Sequence, residues 1–169
     1  MPQAAVEQMS FEELVHTLAM FEQDREPSDV DRAIHRTAVE RRLLGILSAG
    51  NRAAERRSII RVPGELAVVL HMGGETIKGT IRDLSEGGVG IRSIMAPPVG
   101  ATLVVELVPK RVSALSHPPH AQAIVAWVRP VEEHGYDLGL SFVGHDDGHR
   151  RRMRRLVVEL LRRVAPPTH

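Results

Sequence analysis

The strongest structural signal in this chain of 169 residues is a change of hydrophobic period near Glu65. From there to Phe142 apolar and polar residues alternate as in half-buried strands, and glycine or proline pairs interrupt the alternation. The pattern predicts six short strands, at Leu66–His71, Thr76–Arg82, Val89–Arg92, Thr102–Val108, Ala121–Arg129 and Tyr136–Phe142. Short and mostly sequential strands favour an antiparallel barrel or sandwich over a parallel sheet.

Two helices are predicted before the alternating region. The first begins at a capping box, in which Ser10 precedes Glu13 by three residues. The second begins after Ser28 or Asp29 and ends near Gly50. Both carry apolar residues at helical spacing, namely Phe11, Leu14, Val15, Leu18, Phe21, Val30, Ile34, Val39, Leu43, Leu44 and Leu47. These stripes need an apolar partner, which is either the β region or another chain.

A third helix is predicted at the end of the chain, with Asp146 or Asp147 as its N-cap and Pro166 beyond its end. Its apolar face consists of Met153, Leu156, Val157, Leu160, Leu161 and Val164. The fold class is therefore mainly β with flanking helices (α+β). Three parts are predicted: residues 1–50 as an N-terminal helical extension, 51–145 as the β domain and 146–169 as a basic amphipathic helix.

Composition limits the possible functions. The chain has no cysteine, so disulfides and thiolate metal sites are excluded. No apolar run approaches the ~20 residues of a membrane helix, and the N-terminus lacks the basic start of a signal peptide, so we expect a cytoplasmic protein without a membrane span. Residues 1–49 hold nine acids and five arginines, whereas residues 150–163 hold seven arginines and one acid. This asymmetry predicts that the acidic helices pack near the basic one, within one chain or across a homodimer.

Two motifs frame the start of the β region. Arg56-Arg57-Ser58-Ile59-Ile60-Arg61 precedes the first predicted strand, and Asp83-Leu84-Ser85-Glu86-Gly87-Gly88 follows the second. The Arg-x-x-x-Arg spacing alone is unspecific, because it recurs at Arg32/Arg36 and elsewhere. Asp-x-Ser-x-x-Gly is more specific, since it places a carboxylate, a hydroxyl and a glycine in one turn. The alternative interpretation is purely structural, with the first motif as a flexible basic linker and the second as an Asx/Ser-stabilised turn with a glycine bulge.

The two motifs, in this order and with strands between them, resemble the PilZ domain, the bacterial receptor module for cyclic di-GMP. The resemblance extends from Glu55 to Phe142 and includes Trp127 and Leu138-Gly139-Leu140-Ser141-Phe142. It implies a six-stranded antiparallel β-barrel, a non-enzymatic receptor with cyclic di-GMP as ligand and no cofactor, and a downstream protein partner in motility, polysaccharide production or development. The ligand-binding positions that it implies are Arg56, Arg57, Arg61, Asp83, Ser85, Gly87 and Gly88.

The chemistry of these residues suits a cyclic dinucleotide. A guanidinium group is planar and permanently charged, so Arg57 and Arg61 are suited to bidentate bonds with phosphate or with guanine O6 and N7, and to stacking on a purine. Asp83 is suited to accept from guanine N–H donors or to orient a ligand-binding arginine, and Ser85 offers a donor and an acceptor. Gly87 and Gly88 are suited to unusual backbone conformations and close ligand approach. We expect ligand binding to order the arginine segment across the barrel and thereby to shift the N-terminal helices.

Other readings remain open from the residues. A ligand-independent adaptor acting through protein contacts is the main alternative to the receptor. Direct nucleic-acid binding by the last helix is disfavoured, because that segment has no aromatic residue to stack on bases. His117/His120 and His145/His149 are interpreted as exposed loop histidines rather than as metal ligands, and no catalytic residues are identified. Trp127 and Tyr136 are interpreted as core residues, with a stacking role for Trp127 as an alternative.

Overall fold

The computed structural model describes residues 3–23, 30–48, 62–63, 66–108, 120–131, 135–144 and 146–163. The helices are α1 (Gln3–Glu7), α2 (Phe11–Gln23), α3 (Val30–Ser48) and α4 (Asp147–Leu161). The strands are β1 (Val62–Pro63), β2 (Ala67–Met72), β3 (Glu75–Leu84), β4 (Gly88–Ser93), β5 (Thr102–Val108), β6 (His120–Val131) and β7 (Gly135–Phe142). The chain divides into two compact units, one comprising residues 1–60 and 154–169 and the other residues 61–153.

The β unit is a closed antiparallel barrel of six strands. Its strands follow one another in the order β2, β5, β6, β7, β4 and β3, and the pairing of β3 with β2 closes the cycle. The six strands and the barrel architecture expected from the sequence are confirmed. The short strand β1 was not anticipated, and it pairs with the end of β3 outside the cycle.

Local chemistry explains the strand boundaries and the core. The β2–β3 hairpin turns at Gly73 and Gly74, whose φ angles of 56° and 90° are open to glycine without strain. Every second side chain points inward, so the barrel core is aliphatic, with Leu70, Ile81 and Ile91 fully buried. The proline pair Pro97-Pro98, which interrupts the alternation of the sequence, lies in the loop between β4 and β5.

Helix α2 begins where the capping box predicts. The backbone N–H of Ser10 donates to Glu13 Oε2 at 2.7 Å, and the N–H of Glu13 donates to Ser10 Oγ at 3.2 Å, so α2 starts at Phe11. The short helix α1 was not anticipated. In α3, Val39 and Leu43 are buried as expected, but Val30 and Ile34 are exposed, so its apolar stripe is only partly covered.

Helix α4 is capped by Asp146, whose Oδ1 accepts from the N–H of His149 at 2.6 Å. The predicted apolar face is buried from Met153 to Leu161, and Val164 lies outside the described residues. The helix up to Met153 belongs to the barrel unit and continues from Arg154 into the helical unit. None of the described helices is both long and apolar enough to cross a membrane.

The predicted association of acidic and basic helices is found within one chain. Glu22 of α2 is buried, and its carboxylate pairs with Arg36 of α3 and with Arg154 of α4, the latter at 3.5 Å. The guanidinium of Arg155 donates to the main-chain oxygen of Glu22 at 3.3 and 3.4 Å. One acidic residue therefore connects three helices of the helical unit.

Candidate ligand-binding site

A row of outward-facing positions crosses four neighbouring strands of the barrel. Asp83 of β3 lies opposite Gly90 of β4, Gly90 lies opposite Gly139 of β7, and Gly139 lies opposite Trp127 of β6. We call these four positions the glycine row. An acidic side chain stands at one end of the row and an indole at the other, with two glycines between them.

The two glycines of this row make room for the side chains at its ends. A Cβ atom on Gly90 would lie 2.8 Å from Oδ2 of Asp83, and one on Gly139 would lie 2.0 Å from Nε1 of Trp127. The carboxylate of Asp83 therefore lies against Gly90 and the indole of Trp127 against Gly139, and a larger residue at either glycine would displace them. Trp127 is 45% exposed in this position, so one face of a large aromatic ring is available to solvent.

Two irregularities in strand pairing place both end residues on the outside. The register shifts between Ile81 and Asp83 in β3 and between Val125 and Trp127 in β6. Strict alternation from the buried Ile81 and Val125 would turn Asp83 and Trp127 into the core. Each irregularity supplies one extra residue, as in a β-bulge, so the side chains face outward instead.

A second row of outward positions lies beside the glycine row. Arg92 of β4 is opposite Asp137 of β7, which is opposite Arg129 of β6. Arg92 donates from Nε to Oδ1 of Asp137 at 2.9 Å and from Nη2 to Oδ2 at 3.2 Å, while Arg129 Nη2 donates to Oδ2 at 3.0 Å. Arg82 of β3 adds a third guanidinium, 3.9 Å from Oδ1. We call these four residues the arginine row.

The electrostatics of the arginine row favour anions. Asp137 is only 7% exposed, and the hydrogen bonds from Arg92 are the main cause that lowers its pKa below the ordinary value. Arg92 and Arg129, in contrast, leave 47% and 71% of their side chains in solvent. The face thus carries three guanidinium groups against the carboxylates of Asp137 and Asp83.

The Asp-x-Ser-x-x-Gly motif forms the turn between β3 and β4. Ser85 is buried, its N–H donates to the Gly88 carbonyl at 2.9 Å, and its hydroxyl donates to the same oxygen at 3.2 Å. These are the bonds of a serine-stabilised turn. Asp83 lies within β3 rather than after it, because the strand runs two residues beyond its predicted end at Arg82.

The glycines of this turn meet a steric requirement. A Cβ on Gly88 would lie 2.4 Å from the carbonyl oxygen of Leu140, and the carbonyl of Gly87 accepts from the N–H of Phe142 at 3.0 Å. Neither glycine is among those with positive φ, so the expectation of an unusual backbone conformation is wrong for both. Close packing of β4 against β7 is what demands glycine at position 88.

The predicted arginines Arg56, Arg57 and Arg61 lie outside the described residues. The strand that immediately follows them is described. In β1, Val62 is opposite Leu84 and Pro63 is opposite Asp83. The chain that leaves the first motif is therefore hydrogen-bonded beside the first residues of the second, which ties the two motifs together.

Two sequence interpretations are corrected by the structure. Trp127 and Tyr136 were expected in the core, yet they are 45% and 36% exposed, Trp127 because of the bulge in β6 and Tyr136 because it lies near the start of β7. His149 was expected to be an exposed loop residue, but it lies in α4, where its ring is buried and packs edge-on against Phe142 at 5.5 Å.

Of the other histidines, His120 is exposed as expected but is the first residue of β6 and not a loop residue, while His117 and His145 lie outside the described residues. Within the part of the chain that the structure describes, no cluster of three potential ligands is arranged to hold a metal ion. Sequence reasoning missed the arginine row and the role of Gly90. Only strand register brings these residues together, although the Gly-x-Gly pattern of Gly88 and Gly90 was a usable signal.

Comparison with known proteins agrees with this architecture. A family model described as the PilZ domain matches residues 52–159. No curated protein sequence is similar enough to match this chain. The PilZ domain with c-di-GMP of YcgR from Escherichia coli has a TM-score of 0.53 and 19% identity, covering 64% of this chain and 93% of that chain.

Two longer proteins have similar values. The K. pneumonia MrkH–c-di-GMP complex has a TM-score of 0.52 and 17% identity, covering 64% of this chain and 53% of that one. The Bacillus subtilis inhibitor of motility MotI/DgrA has a TM-score of 0.50 and 16% identity, covering 62% and 50%. The match thus spans about half the length of these two chains, and at such identities the likeness shows the fold alone.

Proposed function

The chain belongs to the PilZ domain family, and from this premise we propose that it is a non-enzymatic receptor for cyclic di-GMP. The observation that carries the proposal is the pair of adjacent rows on one barrel face. An exposed indole and a carboxylate flank two glycines, and three arginines lie beside them. YcgR and MrkH, whose structures contain c-di-GMP, support the choice of ligand.

Each group of the two rows matches a part of this ligand. The ligand has two phosphodiester charges and two guanine edges with O6 and N7 acceptors. Exposed guanidinium groups such as those of Arg92 and Arg129 are suited to bidentate bonds with either feature. The open face of Trp127 is suited to stacking on a purine, which contributes about 1–3 kcal/mol per base in single-stranded nucleic-acid complexes. Asp83 is suited to accept from guanine N–H groups.

The first motif completes the site in this proposal. The sequence joins Arg61 directly to Val62, which is paired with Leu84 beside Asp83. The proposal therefore assigns Arg57 and Arg61 to a ligand on the glycine row. Arg56 adds a further donor. Ser85 stabilises the turn, Gly88 allows β4 to pack closely on β7, and Gly87 is the glycine that would let the ligand approach the main chain.

The output of the receptor is a changed protein surface. Ligand contacts from the arginine segment would order it across the barrel and transmit binding to the N-terminal helices, which precede it directly in sequence. A protein partner would read this change, in a process such as motility or polysaccharide production. A homodimer is one form that such a partner can take. We place the protein in the cytoplasm, where the ligand is made.

An adaptor that acts without ligand is the second candidate, and one observation favours it. The loop between β4 and β5 exposes three apolar side chains, with Ile94 at 78%, Met95 at 56% and Val99 at 63%. Exposed apolar residues grouped in one loop are typical of protein-contact surfaces. This loop suits a partner of either candidate, so it does not replace the ligand face.

Isothermal titration calorimetry of the full chain with cyclic di-GMP tests the proposal. We expect saturable binding that weakens as salt is raised, because phosphate neutralisation is screened. Cyclic di-AMP is the matched control, since it has the same phosphates but a different base edge. Absence of any binding of cyclic di-GMP would overturn the receptor and leave the adaptor.

A further inference from the structure

Asp137 is an unexpected residue at the centre of a face that favours anions. Its carboxylate is 7% exposed and would repel a bound phosphate. Both of its oxygens accept from Arg92, and Oδ2 also accepts from Arg129. A buried charge of this kind is costly unless it is paired and hydrogen-bonded, so its place in the site requires an explanation.

Strand association does not supply that explanation. Antiparallel pairing already joins β7 to both neighbouring strands around Asp137. It runs from Gly88↔Ser141 to Ser93↔Tyr136 with β4, and from Ala123↔Phe142 to Val131↔Gly135, interrupted by one bulge, with β6. The barrel is closed without this ion pair. What the carboxylate adds is orientation, because a two-point bond through Nε and Nη2 fixes the plane of the Arg92 guanidinium.

We propose that Asp137 is a positioning residue that determines base specificity on the ligand face. It holds the guanidinium groups of Arg92 and Arg129 in fixed planes and offsets part of their charge. Recognition then depends on the match between a planar donor fork and the O6/N7 pair of guanine rather than on charge alone. This inference rests on the proposed function.

The chemistry predicts what happens when the carboxylate is lost. Guanine presents two acceptors, O6 and N7, whereas adenine presents one acceptor and the N6 donor. A fixed guanidinium discriminates between them, while a freely rotating cation attracts the phosphates of either dinucleotide. Attraction by charge alone also depends more steeply on salt. Loss of Asp137 should therefore reduce selectivity for guanine and steepen the salt dependence together.

The experiment compares the wild-type chain with Asp137→Asn, Asp137→Glu and Arg92→Lys. Glu75→Gln is the matched control, because it removes an exposed acid from the β2–β3 hairpin of the same barrel. Calorimetric affinities for cyclic di-GMP and cyclic di-AMP are measured at low and at high salt. We expect the ratio of the two affinities to fall about tenfold in Asp137→Asn, the scale of one bidentate contact, to recover partly in Asp137→Glu, and to stay unchanged in Glu75→Gln.

A second measurement is independent of the ligand. In nuclear magnetic resonance spectra the Nε–H of Arg92 should exchange slowly with water in the wild type, since it donates to Asp137, and rapidly in Asp137→Asn. Arg92→Lys keeps the charge, removes the fork and identifies the signal. Arg92→Lys should also lose selectivity for cyclic di-GMP over cyclic di-AMP, and this variant keeps the test valid if Asp137→Asn does not fold.

The outcomes separate the inference from the proposed function. No binding of cyclic di-GMP to the wild type would refute the receptor itself. Binding by the wild type with unchanged selectivity in both Asp137→Asn and Arg92→Lys would refute the role of Asp137 alone. Tighter binding of both dinucleotides to Asp137→Asn, with an unchanged ratio of the two affinities, would also refute the role of Asp137. Its carboxylate would then do no more than repel the phosphates of the ligand.

Discussion

Two buried acids, each surrounded by arginines, lie in different units of this protein. Asp137 lies on the barrel, and Glu22 lies in the helical unit, where Arg36 and Arg154 bind its carboxylate. The acids are similarly buried, at 7% and 9% exposure, but their arginines differ. Arg36 and Arg154 expose 25% and 29% of their side chains, against 47% and 71% for Arg92 and Arg129.

The difference shows how one ion-pair pattern serves two purposes. Around Glu22 the arginines come from helices of the helical unit, and their guanidinium groups pair with acids of that unit. Around Asp137 the arginines lie on the outside of the barrel, beside Gly90 and Gly139, which add no side chain to the neighbouring surface. Exposure of the cations, rather than burial of the acid, therefore distinguishes the proposed ligand face from the ion pairs around Glu22.

Removal of the first motif should give the largest effect on the barrel side. Arg57→Ala combined with Arg61→Ala should lower the affinity for cyclic di-GMP by about 100-fold or more, since each charge-assisted hydrogen bond contributes ~1.5–3 kcal/mol. Asp83→Ala should weaken binding as well. Calorimetry measures the affinity, and Arg52→Ala, which shares the Arg-x-x-x-Arg spacing with Arg56, is the control and should be near neutral. Undiminished affinity in the double variant would show that the ligand lies elsewhere.

Removal of the acid on the helical side should change stability instead of affinity. Glu22→Gln removes the carboxylate that Arg36 and Arg154 share, although Arg36 keeps its pair with Glu40 at 2.9 Å. Breaking a buried ion pair costs about 3–5 kcal/mol. Because these arginines are partly exposed, we expect a loss of about 1–3 kcal/mol. Chemical denaturation measures it. Asp137→Asn is the matched variant on the barrel and should destabilise less, so an equal loss in both would contradict the comparison.

Loss of the indole should weaken binding without destabilising the barrel. Trp127→Ala removes a partly exposed ring whose stacking on a base contributes about 1–3 kcal/mol, which predicts a loss of affinity of about tenfold. Trp127→Phe should retain most of the affinity. Since Trp127 is the one tryptophan of the chain, its fluorescence in the wild type should also change on ligand binding. Unchanged affinity in Trp127→Ala would remove this end of the glycine row from the site.

The smallest effect concerns pH. Hydrogen bonds from Arg92 and Arg129 lower the pKa of Asp137. A carboxyl group with a lowered pKa in the folded state stabilises the fold above its unfolded pKa, and this contribution is lost as pH falls through the lowered folded pKa. Exposed partners limit it to about 1 kcal/mol or less. The difference in unfolding free energy between wild type and Asp137→Asn should therefore shrink in acid, and a difference independent of pH would contradict the pairing.

Much of the fold followed from local chemistry, and the site followed only in part. The capping box at Ser10, the cap at Asp146 and the alternation of the strands are signals within a few residues, so they were predictable. The arginine row draws on β3, β4, β6 and β7, and no local pattern shows that Arg92 and Arg129 share one acid. Pairing register decides that, and it depends on the whole barrel.

Strand bulges set a second limit on sequence reasoning. Trp127 was interpreted as a core residue because it falls on a predicted strand. A regular strand would indeed place it on the same side as the buried Val125, but the extra residue between them reverses its direction. The corresponding shift in β3 turns Asp83 outward. Asp83 was nevertheless among the predicted site residues, because it belongs to the Asp-x-Ser-x-x-Gly motif. His149 was interpreted as a loop residue, although the cap at Asp146 places it in the first turn of α4, where its ring packs against Phe142.

The two bulges affect how related sequences must be aligned with this one. Ala126 and Arg82 are the additional residues of β6 and β3. In a chain that lacked one of them, Trp127 or Asp83 would follow its core residue directly and would still face outward, opposite the same glycine. The spacing between the core residues and the outward residues can therefore differ by one between chains that share this face. Strand length, as well as residue identity, should therefore be compared when receptors are sorted from adaptors.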